Sequence, residues 1–566
     1  MKKRASLLLS AVFIANTLLL SACSNAPASQ QTPSSTPSPS ATEASATPTP
    51  SPEPQLPRIL NWVAPGEVTT MDSGKSYDTI SSEQIDFHAD PLYRIDENNE
   101  AIPNLAVALP TVSADGLTVT LKIRDNAYYS NGEKIIAADI VYAARRVVDP
   151  ATGSQSANNL SYIKNASEII KGDLKPEELG IKALSDTELE IVLVAPNSFI
   201  NTELSSTLLA PVNQKFAEAQ GENYGLNSDS LLASGPFVLT DWNGTDISWK
   251  YVKNPYYWDK ENIYFDEINI QIVKEVATGI NLYEAGKLDG AAITGENITL
   301  YRGTEDLVSV QTLRMTNLEL GISSNKYLQN LNLRKALIYA LDRDELSKSI
   351  LNGDGVPSVG VIPNGIAVNP TSGKSVAEDF GVLVYTDVAE AQKLFKQALT
   401  ELGIDSLTLR LVTSDSDESI KVGQYLQSVY ETNLPGLKID LANVPSSVRF
   451  TEMMSYKFDL ALGGWTGDFN PTSYIKQHET SYEHNHSQWA SEELTALVEA
   501  LETTDGNDFS LRWEHLRQAN QYLVDNAVVV PIVQAAKSYL INPKLTGYTT
   551  HVLGTSVDIT RAYFQE

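Results

Sequence analysis

Apolar and polar positions along the chain change period several times, and each change marks an element. Leu117-Thr118-Val119-Thr120-Leu121-Lys122-Ile123 and Glu188-Leu189-Glu190-Ile191-Val192-Leu193 repeat with a period near two, which puts alternate side chains on one face of a half-buried strand. Ile59-Leu60-Asn61-Trp62-Val63 follows a run of prolines and predicts a further strand, with ordered sequence beginning near Arg58. Helical spacing takes over from Ala137 to Val148 and again near Asn332. In the latter run Leu333, Ala336, Leu337, Ala340 and Leu341 fall at i, i+3, i+4, i+7 and i+8, one stripe of a helix. Asp342 and Glu345 then have the spacing of a capping box that would start a second helix. Strand and helix patterns alternate irregularly with no visible repeat, so the fold class is mixed α/β with several lobes.

The N-terminal region follows none of these patterns. Met1-Lys2-Lys3-Arg4 is a short basic stretch, and Ala5 to Leu20 is apolar apart from Ser6, Ser10, Asn16 and Thr17, as in an export signal. Leu20-Ser21-Ala22-Cys23 closes it and resembles the lipobox of bacterial lipoproteins; an ordinary signal peptide with an incidental cysteine is the alternative. The resemblance implies that residues 1–22 are removed and that Cys23 carries the lipid, which holds a protein on the outer face of a membrane without a spanning helix. Cys23 is the one cysteine of 566 residues, so intramolecular disulfides and sites built from several thiolates are excluded. Residues 24–57 contain nine prolines and almost nothing large and apolar. Such a segment cannot bury enough surface to offset chain entropy, so residues 23–57 read as a disordered tether rather than as proline-rich binding motifs. The length of the tether suits a thick, Gram-positive type envelope. No later stretch reaches the roughly 18 apolar residues of a transmembrane helix.

Length allows two to four domains with large cores. With 42 Lys and Arg against 70 Asp and Glu the net charge is −28, which argues for a solvated surface and against a nucleic-acid partner, whose phosphates need clustered basic residues. Catalytic signatures are scarce. There is no G-x-S-x-G and no H-E-x-x-H, and Pro370-Thr371-Ser372-Gly373-Lys374-Ser375 has Val368 where a phosphate loop needs its first glycine, so it reads as a surface loop. His478, His484 and His486 lie close together in sequence. Imidazoles at such spacing suit zinc or nickel, and a secreted metal-dependent hydrolase is the reading they would support; the alternative is a polar loop, since no strand or helix visibly orients the rings.

Several short motifs, in one order along almost all of the ordered chain, resemble the bacterial extracellular solute-binding proteins of family 5, the peptide-binding receptors of ABC importers. They are Asn104-Leu105-Ala106 with Ala114-Asp115-Gly116-Leu117-Thr118, Leu121 to Ala127 running into Ser130-Asn131-Gly132-Glu133, and Ala138-Asp139-Ile140-Val141-Tyr142. Gly235-Pro236-Phe237, Asn254-Pro255-Tyr256-Tyr257-Trp258 and Tyr283 to Asp289 follow, then Arg334-Lys335-Ala336-Leu337 with Ala340-Leu341-Asp342-Arg343, and finally Gly464 to Ser473. Val147 to Pro150, Glu168 to Gly172 and Asp468 to Ser473 are most similar to the oligopeptide-binding branch.

The resemblance implies a two-lobed periplasmic-binding-protein-like fold (type II, cluster C) with an extra inserted domain. Lobe I would take residues 58–80, 200–310 and 535–566, the insertion 81–199, and lobe II 311–534. It implies an oligopeptide held extended between the lobes by main-chain bonds, which are blind to side chains, with Asp468 taking the α-ammonium through a charge-assisted bond. Trp465, Gly464 and Gly467 would wall the site, and Glu67 and Val68 would lie beside the ligand. From the residues alone, Gly463, Gly464 and Gly467 permit close approach of a ligand backbone or unusual dihedrals, and Asp468 reads equally as a turn or cap residue. Two positions depart from the best-known peptide binders: Leu462 stands where an arginine helps hold the peptide carboxylate, and Ser447 where a tryptophan supplies a pocket wall. Both suit longer ligands with an unclamped C-terminus. The expectation is a monomeric, cofactor-free, lipid-anchored receptor at the cell surface. It would deliver peptides to permease subunits of an ABC importer, contact the membrane only through its anchor, and not be an enzyme. A receptor for a nickel chelate or an oligosaccharide is the alternative on the same fold.

Overall fold

A computed structural model of the chain describes residues 58–565 except 468, 469, 481, 483 and 553. The lipobox with Cys23, the tether and Asp468 therefore lie outside the described residues.

Chain order builds three bodies. Strand β1 (Ile59–Ala64) and helix α1 (Thr79–Ile85) open the first. The second follows with β2 (Thr111–Val112), β3 (Thr118–Lys122), helix α2 (Ala137–Val148), β4 (Ile181–Ala183) and β5 (Glu188–Val192). The chain returns to the first with β6 (Phe237–Thr240), β7 (Ser248–Lys253) and β8 (Glu267–Ile272), and then forms β9 (Gly290–Ile293). The third takes β10 (Leu307–Leu320), α3 (Leu331–Ala340), β11 (Gly355–Pro357), β12 (Leu407–Ser414), α4 (Asp417–Asn433), β13 (Leu437–Val444) and α5 (Ser446–Met454). It continues with β14 (Leu460–Thr466), α6 (Thr472–Lys476), α7 (Phe509–Asp525) and β15 (Val529–Ile541). The sheets run β1-β8-β7-β6, β2-β3-β5-β4 and β9-β15-β10-β14-β12-β13, with β11 also on β15.

Local chemistry accounts for these elements. The alternation read in β3 and β5 is real: Val119, Leu121, Leu189 and Ile191 point inward against Ile140, Ala144 and Val147 of α2. Leu333, Ala336, Leu337, Ala340 and Leu341 are all fully buried, and the Asn330 side chain caps α3 by accepting from the Leu333 amide at 3.0 Å. Asp342 caps the next helix through the Glu345 amide at 2.9 Å. The Gly373-Lys374-Ser375 segment is a surface loop in which Ser375 caps the short helix Val376–Phe380.

Several motif residues hold bodies together. Asp90, fully buried, accepts from Asn104 at 2.8 Å, the Tyr257 hydroxyl at 3.1 Å and the Trp258 indole at 3.0 Å, which welds the first body to the second. Arg334, only 2% exposed, donates to the carbonyls of Leu328, Gln329, Asn526 and Ala527, and Arg343 to those of Pro531 and Ile338. Burial lowers both guanidinium groups only to about 10, so they stay charged and pin α3 to the start of β15.

The long strands β10 and β15 pass from the first body to the third as one antiparallel pair. Val310 and Ile541 belong to the core of the first body with Leu60, Trp62 and Trp249, whereas Leu313 to Leu320 and Val528 to Val533 belong to that of the third. The ladder breaks between these halves. Gln311 faces Ala536 and Met315 faces Gln534, so Thr312, Leu313 and Arg314 bulge opposite Ala535 alone. Buried Gln534 holds the bulge by donating to the carbonyls of Thr312 and Asn364, both at 2.9 Å, and by accepting from the Asn364 amide at 2.9 Å.

Candidate functional site

A cavity of about 740 Å3 opens at this crossing, lined by Pro65 at the end of β1, Ile80 and Glu83 of α1, Arg314 of the bulge, Lys537 of β15 and Lys421 of α4. Glu83 and Lys537 pair across its floor at 3.5 Å, and burial raises the Glu83 carboxyl against the pull of that lysine. The walls carry charges of both signs, Asp354, Asp417 and Glu418 together with Arg314 and Lys421, which suits a ligand that has both an amine and a carboxylate.

Strand β14 stands beside this cavity, because Thr466 pairs with Arg314. It pairs with β10 along its whole length, from Leu460 opposite Leu320 to Thr466 opposite Arg314. On its other edge β12 meets only Leu460 and Ala461, so among the described residues no strand covers that edge from Leu462 to Thr466. The first exposed carbonyl, that of Leu462, accepts from Arg449 of α5 at 2.6 Å. Backbone groups in a strand alternate sides, so Gly464 and Thr466 present an amide and a carbonyl on the edge that Leu462 shares.

The glycines of this segment have a different reason from the one read in the sequence. None of Gly463, Gly464 and Gly467 has a positive φ. A Cβ on Gly464 would lie 2.4 Å from the Met315 carbonyl oxygen, one on Gly463 2.7 Å from Glu319 Cγ, and one on Gly467 2.5 Å from the Tyr474 ring. They are small because β10 and α6 press against them. The Trp465 ring is half-buried, with its indole nitrogen unpartnered, and its centroid lies 5.6 Å from His484 and 6.3 Å from Tyr482.

Buried groups hold the described residues on either side of position 468. The Gly467 amide donates to the Tyr474 hydroxyl at 2.9 Å, and that hydroxyl donates to the Leu313 carbonyl in the β10 bulge at 2.5 Å. On the far side Arg512 of α7 donates to Asn470 Oδ1 at 3.0 Å and Thr472 Oγ1 at 2.9 Å.

Glu67 and Val68 lie next to the cavity residue Pro65, in different states. The exposed Glu67 carboxylate is paired with Lys274, whose hydrogen bond holds it below the usual range, while the Val68 side chain packs in the core of the first body. Ser447 is exposed on the first turn of α5. Of the histidines, His478 is 2% exposed with an unpartnered Nε2; burial, aided by His486, drives it down to about 3. His484 and His486 continue the ring series behind Trp465 at 6.1 Å centroid separation, and burial, with His484 and then Arg449 adding to it, lowers His486 to about 4. Among the described residues no group of three His, Cys, Asp or Glu side chains is gathered as a metal ion requires, and no helix is long and apolar enough to cross a membrane.

Sequence reasoning did not single out Arg449, Glu319 or Tyr474. Glu319, on β10 opposite Ala461, is 5% exposed, and burial pushes its carboxyl up to about 7. A glutamate between two leucines, Leu318-Glu319-Leu320, was the one visible signal. Arg449 and Tyr474 carry none, since their roles depend on partners in other elements.

Comparison with known proteins places this geometry. Residues 100–484 match the family described as Bacterial extracellular solute-binding proteins, family 5 Middle. The dipeptide-binding protein of Lactococcus lactis subsp. cremoris is 32% identical over 520 residues, covering 88% of this chain and 93% of that protein. Among solved structures, the pheromone receptor PrgZ, described for its mode of peptide binding, is 34% identical with a TM-score of 0.69 over 90% of this chain and all of its own. Listeria monocytogenes OppA bound to peptide is 29% identical with a TM-score of 0.67, over 90% of this chain and 99% of its own.

Proposed function

Because the chain belongs to the bacterial extracellular solute-binding proteins of family 5, a two-lobed type II periplasmic-binding-protein-like fold, we propose that it captures extracellular oligopeptides between its lobes and delivers them to the permease of an ABC importer. The observation that carries this reading is the uncovered edge of β14 from Leu462 to Thr466 beside the cavity at the crossing of β10 and β15. An extended peptide completes such an edge as one more strand, and main-chain pairing leaves its side chains free to vary. Lobe I would be the body on the four-stranded sheet with β1, including α1, the inserted domain the body whose core runs from Leu92 to Leu209, and lobe II the body around β14.

In this reading Asp468 takes the peptide's α-ammonium at one end of the added strand, and Trp465 lies flat beside the first side chains. At the other end the Leu462 carbonyl is already taken by Arg449, so pairing ends there and the remainder of a longer ligand runs on into the cleft. Glu67 is held by Lys274, so it acts on the ligand only if that pair opens. The protein works as a monomer, is not an enzyme, and is anchored through Cys23 to the outer face of the cytoplasmic membrane.

Asp468→Asn tests the reading. It keeps the shape and an acceptor oxygen and removes the charge. Stripping one partner from an enclosed ion pair costs roughly 2–5 kcal/mol, so affinity for free-amine peptides falls by about one and a half to three and a half decades at ~1.4 kcal/mol per decade. N-acetylated peptides bind wild type poorly and lose little more in the variant. Calorimetric titration of the four combinations measures the coupling; a value near zero with the fold intact makes Asp468 a turn residue.

A further inference from the structure

The Tyr474 hydroxyl is the one described atom that bonds both to the amide preceding position 468 and to the bulge where β10 crosses between the lobes. It accepts from Gly467 at 2.9 Å and donates to the Leu313 carbonyl at 2.5 Å. Neither end of this bridge is loose. Tyr474 is fully buried on α6, and Gly467 lies so close to its ring that even a methyl group would meet it at 2.5 Å. The Leu313 carbonyl belongs to the three residues that interrupt the β10–β15 ladder, at one of its two register shifts, where the strands are joined through side chains instead: Gln534 donates to the Thr312 carbonyl and the Thr312 hydroxyl to the Ala535 carbonyl. A hydroxyl that serves one donor and one acceptor at fixed distances passes a displacement of either to the other, because breaking one bond strands a buried polar group.

We propose that Tyr474 is a positioning residue that ties the ligand-anchoring loop to the interlobe bulge, so that a peptide amine settling beside Gly467 restrains Leu313 and biases the crossing strands towards the closed arrangement. This rests on the peptide-capture reading above. The site and the crossing are then two arms of one element: ligand affinity contains a contribution from bulge geometry, and anything that reshapes the bulge is felt at the amine anchor.

Two other features fit the assignment. Arg512 secures the opposite end of the loop, at Asn470 and Thr472, so a shift at the loop has Tyr474 as its outlet rather than slack further along. Gln534, itself held by Asn364, fixes the Thr312 carbonyl of the bulge, and Tyr474 takes the carbonyl of the next residue, Leu313.

Hydrogen exchange on the full chain, read by mass spectrometry with and without a degenerate pool of free-amine pentapeptides, tests the proposal. In wild type the pool slows exchange in the segment 463–470 and also in 311–316. Tyr474→Phe keeps the ring and removes only the hydroxyl. In this variant the pool still slows exchange in 463–470, the slowing at 311–316 disappears, and affinity for the pool falls roughly three- to tenfold, the scale of one or two lost hydrogen bonds. A residue with only a packing role would lower the melting temperature and leave both segments responding. If both segments of the variant respond as in wild type, the coupling does not run through this hydroxyl and the proposal fails while peptide capture stands. If the pool leaves 463–470 of wild type unchanged, peptide capture itself fails and takes the proposal with it. Should the variant not accumulate, wild type alone decides: N-acetylating the pool must abolish the response at 311–316 together with that at 463–470, and a response at 311–316 that persists without the other overturns the link.

Discussion

Replacing Glu319 by glutamine should change how stability depends on pH, in a direction and by an amount that follow from its surroundings. The carboxyl lies on β10 at 5% exposure, and burial raises it to about 7 from the ordinary 4.5. Asn317 on the same strand and Arg449 on α5 pull the other way, without overcoming the desolvation. Arg449 is itself lowered by burial and then by Arg314, and it spends a hydrogen bond on the Leu462 carbonyl, so it is a weak counter-charge. Between those two values the folded state holds a proton that the unfolded state has released. The protein therefore loses stability as pH rises from about 4.5 to about 7, and the loss levels off above that. A gap of about 2.5 units at ~1.4 kcal/mol each sets a ceiling of roughly 3 to 4 kcal/mol, which relaxation and water entry reduce to roughly 1–3 kcal/mol. Glutamine keeps the shape, cannot ionise, and removes this slope. Urea unfolding of both proteins at pH 5, 6, 7 and 8 gives the difference, in which every other titrating group cancels. The expected result is near-equal stability at pH 5 and a growing advantage for Glu319→Gln up to pH 8. Parallel profiles for the two proteins would show that Glu319 is ionised throughout, and the desolvation argument would be wrong.

Three further outcomes are expected. Gly464→Ala drives a Cβ to 2.4 Å from the Met315 carbonyl oxygen, and overpacking against backbone should cost about 1–3 kcal/mol in the same urea assay; no change would mean that β10 and β14 slide apart freely. Cys23→Ala should abolish incorporation of a tagged fatty acid and release the protein or leave its signal uncleaved, and unchanged labelling would refute the anchor. His484→Ala removes a ring 5.6 Å from Trp465 and should shift tryptophan emission to the red, with wild type retaining no stoichiometric zinc or nickel through dialysis. Metal that stays bound in wild type and is lost in the variant would revive the metal-site reading.

What could be read in advance was whatever a short window of sequence determines. The helix from Ala137 to Val148 has the expected bounds, and the strands at 59–64, 118–122 and 188–192 differ from expectation by one or two residues at their ends, where fraying rather than pattern decides. The capping role of Asp342 needed only its neighbour three residues on. Long-range features were out of reach. Tyr474 meets a carbonyl 161 residues earlier in the chain, and nothing local distinguishes it from any other buried tyrosine. The glycines at 463, 464 and 467 were recognisable as special, but sequence cannot separate a left-handed backbone, a ligand's approach and pressure from a neighbouring strand; here pressure from β10 and α6 is the cause. His478 read as part of a polar loop and is instead interior, because Ile475 and Tyr474 pull its turn into the core.

The route of the chain also bears on how the protein is made. The core of the first body joins Leu60 and Trp62 to Ile541, Leu545, Val557 and Ala562, so that body cannot close until the segment around Ala562 has been made. The third body waits almost as long, for β15 supplies the strand between β9 and β10. Only the second, whose core runs continuously from Leu92 to Leu209, can fold while the rest is still being made. Closing loops of that span costs entropy before any contact repays it, and such topologies fold slowly. A nascent chain should therefore pass through a long-lived stage with one finished body and two open apolar surfaces, when it is most exposed to aggregation and to proteases. A chain stopped before Val557 would remain at that stage.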